Sequence, residues 1–111
     1  MAQMNRLPYT TIFHGFSNST VIECAQRLSE LTPPGLTHFA FTSGGSETIE
    51  SSFKIARYYW HIKGISKYKI ISLYDSYHGM SLGALAATGM GKGNAWTGAG
   101  LHTAFYVVSG R

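Results

Sequence analysis

Apolar residues at Val21, Ala25, Leu28 and Leu31 recur at the spacing of one helical face, so Ser19 to Leu31 is predicted to be an amphipathic helix. Thr20 and Glu23 stand in capping-box relation near its start, and Asn18-Ser19-Thr20 suits a helix opening. Thr32-Pro33-Pro34-Gly35 ends it, because proline cannot continue a helix and glycine permits the return turn. The short aromatic run His38 to Thr42 predicts an interior parallel strand buried on both faces. From Ser46 to about Lys63 the helical period returns. Ile49, Phe53, Ala56 and Trp60 lie on one stripe, with Glu50, Lys54, Arg57 and His61 on neighbouring faces, and Gly64 closes the element.

Lys69 to Tyr74 predicts a second strand, and the alanines at 84, 86 and 87 predict a short, closely packed helix within Met80 to Thr88. Glycines at 89, 91, 93, 98 and 100 make a loop, and Ala104 to Val108 predicts a third strand. Residues 1–17 lack a period and contain Pro8 and Gly15, so they read as an irregular lead-in to residues 18–111. Strand, helix and strand in this order imply an α/β fold with a mostly parallel sheet, right-handed crossovers and flanking helices. Three strands leave uncovered edges and apolar faces, so the chain is expected to be part of a larger domain, truncated at its C-terminal end.

At 111 residues the chain holds one domain at most, and 44% hydrophobic with 13% charged residues excludes disorder. The net charge of +4 arises from nine Lys and Arg against five Asp and Glu, spread without a block. Lys63 to Lys69 is diluted by Gly64, Ile65 and Tyr68, which argues against a nucleic-acid partner. The apolar runs are too short to span a bilayer, and Met1 to Arg6 hold no signal-peptide core. Cys24 is the only cysteine, so no intrachain disulfide forms; it is expected to be a small buried side chain, and the location is expected to be cytoplasmic. His14, His38, His61 and His102 have no mutual spacing that suggests a metal site.

Two short segments carry candidate chemistry, each just after a predicted strand. In Thr42-Ser43-Gly44-Gly45-Ser46-Glu47 the two glycines and the serine open a helix, where unpaired N–H groups and the helix dipole suit a phosphate. The alternative is a glycine turn whose Ser46 merely caps the helix. Glu47 complements the dipole and is not placed in the site. Tyr77-His78-Gly79 puts an aromatic ring at the carboxyl end of a strand, the edge of an α/β sheet where ligands usually bind. Gly89-Met90-Gly91-Lys92-Gly93 lacks the spacing of a nucleotide-binding loop and reads as a mobile connection.

These segments resemble the large-domain portion of class III aminotransferases, the pyridoxal-phosphate enzymes that include the omega-amino-acid:pyruvate group. FTSGGSETIESSFKIAR, from Phe41 to Arg57, is similar to the family stretch F-x-N-S-G-S-E-A-x-E-x-A-x-K-x-A-R, and YHGMSLGALAATG, from Tyr77 to Gly89, is similar to its Y-H-G run ending in T-G. Tyr58-Tyr59-Trp60-His61-Ile62-Lys63-Gly64 resembles the omega-aminotransferase branch. The resemblance implies a fold-type-I large domain. It also implies that Gly45 and Ser46 hold the phosphate of pyridoxal 5'-phosphate, with Gly44 beside them, and that the Tyr77 ring stacks on the pyridine. His78 lines the pocket in that reading, a satisfied structural histidine being its alternative.

Ser43 and Gly44 stand where the family usually has Asn and Ser, so side-chain contributions to the cradle are expected to be reduced. The family's cofactor-bearing lysine and the aspartate facing the pyridine nitrogen lie on later strands, beyond Arg111. Lys54, Lys63, Lys67, Lys69, Lys92 and Asp75 do not fall on those positions and receive no catalytic role. The resemblance therefore implies a homodimeric enzyme acting on small amines and oxo acids when complete, and no turnover by these residues alone. A noncatalytic module binding a phosphate-bearing ligand, and an aminomutase or decarboxylase of the same family, remain the alternative readings.

Overall fold

The computed structural model describes residues 2–90 and 105–108. The chain divides into two compact units, Met1–Ala40 and Phe41–Arg111. The first unit holds α1 (Ala2–Arg6) and α2 (Ser19–Leu31). The α1 helix corrects the expectation of a wholly irregular lead-in: Ala, Gln, Met and Arg are good helix formers, and the exposed element needs no apolar face. The predicted bounds of α2 match, but its cap is Asn18, whose side chain accepts the Val21 N–H at 3.0 Å, rather than Thr20. Val21, Ala25 and Leu28 are half-buried, whereas Leu31 and Cys24 are exposed, so Cys24 is not the buried side chain that its type suggested.

The second unit contains α3 (Gly45–Ile62), β1 (Ile70–Leu73), α4 (Leu82–Ala87) and β2 (Phe105–Val108). Residues 38–42, predicted to be a buried strand, form none: they have no ladder partner among the described residues, and Phe39 alone among them is half-buried. The observed crossover lies later in the chain. β1 and β2 pair in parallel, Ile70 opposite Phe105 and Leu73 opposite Val108, with α4 between them in sequence. The predicted loop falls mostly at 91–104, outside the described residues.

On α3 the half-buried positions are Ser46, Ile49, Ser51, Phe53, Arg57 and Trp60, so Arg57 takes the place predicted for Ala56. Its Nε donates to the Tyr68 carbonyl at 2.8 Å. Gly64, at φ 69°, closes α3 in a Schellman turn: its N–H meets the His61 carbonyl at 2.9 Å and the Ile65 N–H meets Trp60 at 3.0 Å. The core of this unit consists of small side chains. Ala84, Ala86 and Ala87 on α4, Ser72 on β1 and Thr88 are all buried, which lets the backbones approach closely and fixes the turn after β1.

Candidate functional site

The turn that leaves β1 is held by its own backbone before any side chain acts. Asp75, in the left-handed region at φ 58°, donates its N–H to the Gly89 carbonyl at 3.1 Å, and Gly89 returns a bond to Ser76 at 2.8 Å. Residues 76–79 are thereby tied to the end of α4. Ser76 Oγ donates to the Leu73 carbonyl at 2.5 Å and lies 3.1 Å from His78 Nε2. A hydroxyl has a single proton, so in this pair His78 Nε2 donates and the Ser76 oxygen accepts.

Gly79 brings this turn against the start of α3. At φ 133° it holds a conformation that side chains rarely adopt, and an added Cβ would strike Ser46 Oγ and lie 2.9 Å from Ser46 Cα and Ala84 Cβ. The two candidate segments therefore meet. They enclose a hollow of about 460 Å³ lined by Gly45, Ser46, Tyr77 and His78, with Thr48, Ile49 and Gly79 completing the wall. Tyr77 is 58% exposed and His78 is half-buried.

Gly44 lies outside that lining. It is the N-cap of α3 in extended backbone, and its carbonyl accepts from the Thr48 N–H, Thr48 Oγ1 and Thr42 Oγ1, each at 3.1 Å. Ser46 is not the cap; its Oγ accepts the Met80 N–H at 3.0 Å, which leaves its own proton available to donate. An added Cβ at Gly44 or Gly45 would meet nothing within 4 Å, and neither residue has a positive φ. Neither packing nor conformation among the described residues requires glycine there. The missing side chain at Gly45 leaves the backbone at the positive end of α3 open to the hollow.

Glu50 and Thr88 are parts of this arrangement that motif reading passed over. Glu50 Oε1 accepts the Gly83 N–H at 3.0 Å, so a side chain of α3 caps α4, whose own N-cap Ser81 makes no side-chain cap. The Ser81 hydroxyl is the main influence holding the Glu50 carboxyl below its ordinary range, followed by the Gly83 amide. Of the two, the Gly83 bond meets hydrogen-bond geometry, and Ser81 Oγ is buried without a hydrogen-bond partner among the described residues. The only signals were a glutamate in the first stretch and the threonine ending the second. Lys69 lies at the other end of β1, where the Tyr106 phenol raises its ammonium above the usual range, and it takes no part in the hollow.

Fold and hollow together define an α/β protein in which a helix start and a tyrosine share one hollow at the carboxyl end of a parallel strand. The family description Aminotransferase class-III matches residues 2–106, and the chain belongs to that family. The putrescine–pyruvate aminotransferase of Pseudomonas aeruginosa is 32% identical over 89 residues, 79% of this chain and 20% of the relative. A thermostable (S)-enantioselective omega-transaminase from Thermomicrobium roseum superposes with a TM-score of 0.88 at 42% identity, over 98% of this chain and 24% of that one. An amine transaminase from an uncultivated Pseudomonas species, solved in its PLP-bound form, gives 0.81 at 29% identity, over 97% and 24%. The chain thus has the fold of part of a fold-type-I transaminase, and it spans about a fifth of the length of the curated relative. No helix among the described residues is long and apolar enough to cross a membrane.

Proposed function

We propose that this chain supplies the phosphate and ring contacts for pyridoxal 5'-phosphate in an aminotransferase that moves an amino group between an amine or omega-amino acid and a 2-oxo acid such as pyruvate. The observation that carries the reading is the meeting of Gly45, Ser46 and Tyr77 on one hollow. In it the N–H groups at the start of α3 and the Ser46 hydroxyl donate to the phosphate, with the Gly44 backbone beside them. Tyr77 lays its ring against the flat face, and His78, oriented by Ser76, borders the same space. When bound, the cofactor supplies the electron sink that transamination needs.

Among the described residues the hollow is lined by no lysine, and we infer that these 111 residues bind without turnover and that the remaining groups come from outside them. In the complete protein we place the site in a cytoplasmic homodimer using small amine and oxo-acid substrates, with no nucleic acid, membrane or metal partner. Equilibrium binding of pyridoxal 5'-phosphate tests the reading. Affinity that falls at least about tenfold in Tyr77→Ala and in Gly45→Val supports it, since stacking and backbone approach are each worth roughly that much. Indifference to both substitutions rejects it in favour of a noncatalytic module.

A further inference from the structure

The two halves of the hollow are joined by a residue that does not line it. Thr88, only 5% exposed, accepts the His78 N–H on Oγ1 at 3.0 Å. Its single proton is shared between the carbonyls of Gly79, at 3.2 Å, and Ala84, at 3.1 Å. The Ala84 bond alone is ordinary helix back-bonding by a threonine. The other two are not. The Gly79 carbonyl and the Met80 N–H are opposite ends of one planar peptide, and that N–H donates to Ser46 Oγ. The His78 N–H in turn belongs to the peptide that leaves Tyr77, so holding it fixes a backbone torsion of Tyr77.

We propose that Thr88 is a positioning residue: through the Gly79–Met80 peptide its hydroxyl sets the separation between Ser46, at the anion end of the hollow, and Tyr77, at its aromatic face. The proposal rests on the cofactor reading above. A ligand with a phosphate joined to a flat ring needs both contacts at one fixed spacing, whereas phosphate alone needs only the first. Loss of the Thr88 hydroxyl therefore penalises the joined ligand selectively.

The experiment compares the parent chain with Thr88→Val, which keeps the shape, and Thr88→Ser, which keeps the hydroxyl. Pyridoxal 5'-phosphate affinity is expected to fall about tenfold in the valine variant, the worth of a lost buried hydrogen bond, with inorganic phosphate affinity changed less than about twofold. The serine variant is expected to restore it. Unchanged pyridoxal 5'-phosphate affinity, or an equal fall for both ligands, overturns the proposal. Amide exchange at His78 is read without any ligand. It should be slow in the parent and in Thr88→Ser and at least about tenfold faster in Thr88→Val, since local opening governs the rate. An unprotected His78 amide in the parent overturns the proposal even where the valine variant does not fold. If the parent binds no pyridoxal 5'-phosphate, the cofactor reading falls. The exchange rates then still decide whether Thr88 holds the turn, and equal rates in all three proteins overturn it.

Discussion

Gly79 and Gly45 are both glycines bordering the hollow, yet they are glycine for opposite reasons. At Gly79 the backbone conformation and the contact with Ser46 both exclude a side chain. Gly79→Ala is therefore expected to lower unfolding stability by about 1–3 kcal/mol, measured by urea denaturation, because left-handed strain and overpacking act together. At Gly45 the space is open, and Gly45→Val is expected to leave the unfolding free energy from urea denaturation within about 0.5 kcal/mol of the parent, as an exposed substitution does. Gly45, Ser46 and Tyr77 were legible because each lies in a short motif with a direct physical use. Thr88 and Glu50 act through bonds to residues ten and 33 positions away, which no local pattern encodes.

α2 and α3 were read nearly to the residue, since each carries a periodic apolar face and a proline or glycine stop, whereas α1, five exposed residues with no apolar face, was not. What failed was whatever depends on a neighbour. Residues 38–42 have strand composition but no ladder partner among the described residues, and the capping-box spacing of Thr20 competed with an asparagine two residues earlier. Asn18→Ala is expected to cost about 1 kcal/mol in unfolding free energy, and Thr20→Ala to cost none of that capping contribution. The junction of α3 and α4 carries the pH dependence. Because the Glu50 carboxyl is held below its ordinary value of 4.5, its stabilising contribution is complete above that pH and disappears as pH falls through the lowered value. Glu50→Gln should therefore flatten the acid limb of the stability curve, and an unchanged limb in thermal melts between pH 3 and 6, a range chosen to bracket roughly the carboxylate region, would refute the assignment.

At the scale of the whole molecule the two units differ in kind. None of the described residues of the first is buried, while the second closes on Ala84, Ala86, Ala87, Ser72 and Thr88. Amide exchange should accordingly be slowest in β1 and across α4 to Thr88 and fastest over residues 2–40, because protection follows burial. The α/β class and the parallel sheet were visible in the order of periods. Which strands pair was not, since the β1–β2 register depends on contacts across more than thirty residues of chain.

The empty surroundings of Gly45 bear on how damage at this position would come to notice. Selection on abundance, solubility or melting temperature has little to detect in a side chain added there, because none of the described residues lies within 4 Å of an added Cβ. Deep mutational scans scored by expression level would grade position 45 as tolerant, and under the proposed function only a screen that counts captured vitamin B6 would mark it as intolerant.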